Sequence, residues 1–142
     1  MSVSSRTVTC TSCKTKNQIP DQGYGRPQCG SCKRPLRWVV DANDTTYLNL
    51  VESDLIVLVE LHATWSRPSG MVSPIVDRIS VDYAGRLKVV RVNADECPGV
   101  QRSQSMTKPP TLVILKNGRA MNSIVGAQPE AVVRRQLDEF LV

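Results

Sequence analysis

An α/β fold preceded by a small cysteine-rich segment is the architecture this sequence predicts, and three observations carry it. Leu55-Ile-Val-Leu-Val-Glu-Leu61 is apolar on nearly every residue, as a strand covered on both faces is. It runs through Trp65-Ser66-Arg67-Pro68-Ser69 into a stretch where Met71, Ile75, Ile79 and Tyr83 recur every four residues, the pattern of an amphipathic helix. Val72 and Val76 widen that stripe. Ahead of both, Cys10-x-x-Cys13 and Cys29-x-x-Cys32 stand fifteen residues apart, the spacing of a four-thiolate metal site.

A chain of 142 residues suits one ordinary domain, or a small one plus a modest one. The formal charge of +5 is uneven. Residues 1–36 carry six basic side chains against Asp21 alone, whereas residues 37–142 hold twelve basic and twelve acidic. That shift predicts a boundary near Pro35 to Arg37, dividing a unit over 1–36 from one over 37–142. No apolar run is long enough to cross a bilayer, and the polar start lacks the apolar core of a signal peptide. The expectation is a cytoplasmic protein with no membrane association.

The first unit reads as a zinc ribbon. Each Cys-x-x-Cys can turn two sulfurs toward one tetrahedral ion, making Cys10, Cys13, Cys29 and Cys32 the ligands of a single structural Zn2+. Ile19, Tyr24 and Leu36 are too few to build a core in so short a segment, so metal binding would supply the folding free energy. That energy is on the order of 10 kcal/mol in zinc-finger peptides. Two disulfides are disfavoured in a reducing compartment, and a redox pair would need a thiol at a helix N-terminus. With Tyr24 as its one stacking aromatic, the ribbon is a poor nucleic-acid surface.

In the second unit Leu36–Val40 predicts a strand, and Asp44 or Thr45 a cap for a short helix reaching Val51. After the central strand, a helix from Pro68 to Ala84 contains Pro74, which should kink it, and ends on Gly85. Leu87–Asn93 alternates as a strand, and Pro98 opens a short helix ending near Met106. Thr111–Leu115 and Ala120–Val125 form a hairpin about Asn117-Gly118. Pro129 opens a last helix that buries Val133, Leu137, Phe140 and Leu141. A strand entering a helix through a tight turn presents that turn at the sheet's carboxyl edge, where unpaired backbone N–H groups favour a developing anion. The architecture is that of an activated nucleophile, but the atoms at Ser66 and Ser69 are hydroxyl oxygens.

Trp65-x-x-Pro68-x at the head of such a helix resembles the thioredoxin family, whose site reads Trp-Cys-x-Pro-Cys. Lys108-Pro109-Pro110-Thr111 and the strand after it resemble the family's cis-proline loop. Val92-Asn-Ala-Asp95 with Pro98, and Val125-Gly126-Ala127, resemble two further family segments, in the family's order and spacing over about residues 37 to 142. The resemblance implies a thioredoxin fold, a central mixed sheet flanked by helices. With the ribbon in front, the chain resembles the zinc-containing second thioredoxin of bacteria.

The resemblance further implies that Ser66 stands at the nucleophile position, Ser69 at the resolving one, and Pro68 between them. Trp65, Arg67, Pro110 and Gly126 would line the substrate groove. Glu60 stands where the family has a buried Asp that accepts a proton through water; the plainer reading pairs it with a cation, Arg91. His62 replaces a large aromatic and is read as ordinary packing, and Cys97 is assigned no function. Pro109 replaces the usual aliphatic residue and removes a backbone donor from the substrate-pairing segment.

Serine cannot perform thiol–disulfide exchange, because its hydroxyl stays protonated and forms no disulfide. With a single histidine in the chain there is no Ser-His-Asp arrangement to make it a hydrolase. The chain as written is therefore expected to be redox-inactive. The preferred reading is a disulfide reductase with two serines substituted for cysteines, a monomer served by thioredoxin reductase and acting on oxidised proteins. The alternative is a naturally redox-dead binding module or holdase; a third makes the ribbon the working part.

Overall fold

A computed structural model describes residues 5–104 and 108–141. The N-terminal strands β1 (Ser5–Thr9) and β2 (Lys16–Pro20) form an antiparallel pair. There follow β3 (Val39–Ala42), α1 (Tyr47–Leu50), β4 (Ile56–His62), α2 (Arg67–Asp82), β5 (Leu87–Asn93), α3 (Pro98–Ser103), β6 (Thr111–Lys116), β7 (Arg119–Val125) and α4 (Glu130–Asp138). The larger sheet has the order β3-β5-β4-β6-β7, with β3, β5 and β4 mutually parallel and β6 and β7 antiparallel to their neighbours. This is the mixed α/β sheet of a thioredoxin fold.

Central strands carry the longest apolar runs because both their faces are covered. On β4, Val57, Val59 and Leu61 face one apolar cluster with Val40, Tyr47, Val90 and Val92. Ile56 and Leu58 face the other, built with Val72, Val76 and Ile79 of α2 and Val133 and Leu137 of α4. The period-two alternation of side chains thus separates two cores across one strand. Asn117 and Gly118 turn the β6–β7 hairpin with φ of 53° and 78°, the left-handed pair that matches strand twist.

Several expectations shift. Regular pairing of β3 begins at Val39 rather than Leu36, although Val89 N–H already donates to Trp38 O at 2.8 Å. Met71 does not join the core and is 66% exposed. A spacing of four drifts about 40° per step around a 3.6-residue helix, so Met71 and Tyr83 stand about 120° apart. The buried apolar positions are 72, 76, 79 and 83, spaced four-three-four. Pro74 does lie inside α2. The short helix α1 is capped by neither Asp44 nor Thr45; its N-cap is Thr46, and Asn43 Oδ1 accepts the N–H groups of Thr45 and Thr46. Asp44 instead accepts from Gly99 N–H at 3.0 Å and Val100 N–H at 2.9 Å, satisfying the start of α3. That helix ends at Ser103, and the expected end near Met106 lies outside the described residues.

The cysteine-rich segment packs against the sheet. Cys10, Ile19, Cys29 and Leu36 share the apolar cluster of Trp38, Val40 and Val90. Tyr24, expected among its apolar groups, is 72% exposed. Trp38 Nε1–H donates to Pro20 O at 3.0 Å, and Lys88 Nζ, fully buried, donates to Asp21 O at 2.6 Å. The Lys88 ammonium also lies 4.2 Å from the Trp38 ring centroid, a cation–π contact.

Candidate active site and sulfur cluster

Ser66 is the N-cap of α2. Its backbone is extended, with φ −96° and ψ 116°, and its Oγ accepts the N–H of Ser69 at 3.3 Å. Serine suits this position because its short side chain reaches one of the N–H groups that the first helical turn leaves unpaired. Pro68 falls in that first turn, where its missing N–H costs nothing. The turn is closed by Ser66 N–H on Ala63 O at 3.2 Å, while Ser69 Oγ accepts the N–H of Ala63 at 3.3 Å. Both serines are buried, at 8% and 2% exposure, whereas Trp65 beside them is 66% exposed. Trp65 is held by its indole N–H, which donates to Asp95 Oδ1 at 3.0 Å. Arg67 and Pro68 are exposed on the same turn.

Strand register brings the other residues to this edge. Thr111 pairs with both Leu61 and Val125, so Pro110 and Gly126 sit beside the carboxyl end of β4. The Pro109–Pro110 bond is cis, and Gly126 N–H donates to Pro110 O at 2.8 Å. Gly126 has φ +84°, and a Cβ placed there would meet no atom within 4 Å. Open space thus lies next to Gly126.

Behind the turn, Glu60 is fully buried on the α2 face of β4. Arg91, its register partner on β5, donates Nε–H to Oε1 at 2.8 Å, and the Ser73 hydroxyl donates to Oε2 at 2.6 Å. Arg91 also reaches Asp77 at 2.6 Å, with Arg37 3.4 Å from the same carboxylate oxygen. The expected Glu60–Arg91 pairing is present. Burial alone would weaken the Arg91 charge, but the two carboxylates outweigh it and raise its pKa. His62, half-buried at the end of β4, makes no side-chain hydrogen bond to Ser66 among the described residues. Cys97 is buried with Sγ 3.4 Å from Ala42 O, and burial pushes its thiol up. Sequence reasoning missed Asp95, Ser73 and Asp77. The last two lie four apart on α2, a helical spacing that marks one face.

The four remaining cysteines converge. Their sulfurs all lie within 4.8 Å of one another, with Cys10–Cys32 at 3.6 Å and Cys13–Cys29 at 3.5 Å. Four thiolates about 2.3 Å from one tetrahedral zinc would stand about 3.8 Å apart, so this donor set fits that ion closely. The two loops repeat one geometry. Lys14 N–H donates to Cys10 O and Lys33 N–H to Cys29 O, with the two lysines at φ 64° and 65°. Backbone N–H of Cys32, then that of Ser31 and the Asn17 amide, hold Cys29 down at about 6. The Arg34 backbone would lower Cys32, but burial and three neighbouring sulfurs push it up to about 11. A thiol held protonated by its neighbouring sulfurs, as Cys32 is, is the arrangement a dication relieves.

A sequence profile of the family described as Thioredoxin matches residues 38–139. The chain is 39% identical over 99 residues to Thioredoxin 1 of Nostoc sp., covering 69% of this chain and 92% of that protein. It is 39% identical over 93 residues to Thioredoxin of Synechocystis sp., covering 66% and 87%. Against Thioredoxin M4, chloroplastic, of Arabidopsis thaliana, identity is 39% over 93 residues, and the chain spans about half (48%) of that protein's length.

Proposed function

The chain belongs to the thioredoxin family, and from that premise we propose that it is the scaffold of a protein disulfide reductase carrying serine for cysteine at both working positions, 66 and 69. The carrying observation is the N-cap of α2. Ser66 Oγ occupies the point where the first-turn N–H groups and the helix dipole converge. A thiolate at position 66 would be stabilised there and would attack a substrate disulfide, forming a mixed disulfide and expelling one substrate thiolate. A second thiol at position 69 would attack that bond, releasing the other substrate thiolate and leaving a 66–69 disulfide. Two electrons pass to the substrate. Thioredoxin reductase, the partner of this family, would restore the dithiol.

With oxygen at both positions neither bond can form, so the chain as written has no exchange activity. Trp65, Arg67, Pro110 and Gly126 line the groove for an extended oxidised protein segment, a role supported by the open space at Gly126. Glu60 stands where the family has an acid that accepts a proton through water for the resolving thiol; its bonds to Arg91 and Ser73 support the plainer reading, a structural ion pair. Residues 1–36 form a zinc ribbon held by Cys10, Cys13, Cys29 and Cys32, and residues 37–142 the thioredoxin domain of a cytoplasmic monomer. Zinc, bound there, supplies folding energy rather than chemistry.

A second reading makes the groove a binding surface in its own right. It is favoured by the exposure of Trp65, Met71 and Val125, at 66%, 66% and 58%. An insulin-reduction assay with dithiothreitol separates the two. The Ser66→Cys/Ser69→Cys double variant should turn over while the parent chain stays at background. A silent variant with intact fold and bound zinc would leave the binding reading standing.

A further inference from the structure

A cleft of about 320 Å³ lies at the end of the sheet opposite Ser66, among Arg26, Arg86, Lys116, Phe140 and Leu141. It opens at the start of β4, about 20 Å along the strand from the nucleophile turn at the strand's rise per residue. Three cations from three segments surround it: the loop after β2, the α2–β5 turn and the end of β6. None of the three forms an ion pair among the described residues. The one carboxylate in the lining, Asp54, is occupied by Gly25 N–H, which donates to its Oδ1 at 2.8 Å. That bond fixes the loop bearing Arg26 at the rim. Arg86 is also positioned, with its guanidinium 4.8 Å from the Tyr83 ring centroid and the Tyr83 hydroxyl donating to Asp138 at 2.7 Å. Leu55, Ile56, Phe140 and Leu141 supply an apolar wall.

We infer that this cleft binds a small organic phosphate. Three cations around one already-engaged carboxylate leave an excess of positive charge, and the guanidinium fork matches phosphate oxygens in geometry and charge. The apolar wall adds affinity for a carbon body, and the volume is at the lower end of those that hold small molecules. A ligand here would contact the ribbon loop and the larger sheet at once, and would leave the groove at Trp65 free.

Amide chemical-shift titration of the full chain with phenyl phosphate, and with inorganic phosphate at matched ionic strength, tests the inference. Saturable shifts should cluster at residues 54–56, 86–87 and 116–117. Phenyl phosphate should bind more tightly than inorganic phosphate. The R86A/K116A variant, altered only at exposed side chains, should bind it at least roughly tenfold more weakly. Three results would each overturn the assignment: shifts that do not saturate, equal binding of both probes, or undiminished binding by the variant.

Discussion

Arg91 and Glu60 face each other at paired register positions on adjoining strands, joined by a 2.8 Å hydrogen bond beneath the turn that carries Ser66. Glu60 is fully buried and Arg91 mostly so, and each has a second partner, Ser73 for the acid and Asp77 for the base. Removing one member of a buried pair typically costs about 3–5 kcal/mol, because the other charge is left uncompensated. Glu60→Gln should cost somewhat less, about 2–3 kcal/mol, since Arg91 keeps Asp77. Urea unfolding checks this; an unchanged midpoint would mean that the pair adds nothing.

Ser66→Ala removes the acceptor of the Ser69 N–H. At 3.3 Å this is a long cap bond, so the loss should fall at about 0.5–1 kcal/mol. Chemical denaturation of the single variant measures it, with Arg67→Ala on the exposed face of the same turn as a neutral control.

On the proposed zinc reading, chelation should release one zinc per chain, read with a metallochromic dye, and should redden the tryptophan emission. Trp65 is already 66% exposed, so the change must come from Trp38, which is 2% exposed beneath the cysteine-rich segment. A Trp38→Phe variant should therefore lose most of the spectral shift. Retention of the full shift in that variant would place the rearrangement elsewhere.

Stability should rise from about pH 8 to about pH 10.5 through Lys88. Burial pushes its ammonium down to about 8, opposed by Asp21 and assisted by Arg6. The unfolded lysine keeps its proton to about 10.5, so across this window the unfolded state binds more protons and folding gains with pH. The cost of burying the charge is fully present below the folded value and is relieved above it. Lys88→Met should flatten this rise, measured by denaturant midpoints at constant ionic strength. A parallel rise in the variant would assign the effect to another group.

Much of this was legible in sequence where the signal was local. The run Leu55–Leu61, the Asn117-Gly118 turn and the four cysteines each carry their geometry in their own neighbourhood. The resemblance at Lys108–Thr111 led to the cis bond at Pro110 in the same way. What escaped notice was long-range. Asp44 reads as a cap for the next helix but satisfies α3, fifty-five residues away. Lys88 alternates onto the same face as Val90 and Val92, a place composition gives no reason to expect a lysine, and the Asp21 carbonyl of the N-terminal segment together with the Trp38 ring makes it tolerable there. The pairing of Ser73 and Asp77 with Glu60 and Arg91 required knowing which helix face lies on which strand.

Ile19 and Leu36 lie in one apolar cluster with Trp38, Val40 and Val90, so the segment bearing the four sulfurs and the larger sheet have a common interior. A solute that binds only the ordered sulfur cage therefore pulls on the unfolding equilibrium of the whole sheet by mass action. Each tenfold rise of its free concentration above the dissociation constant adds about 1.4 kcal/mol. On the zinc reading proposed above, the supply of metal around the chain would set part of the stability of the larger unit as well as of the segment that holds it.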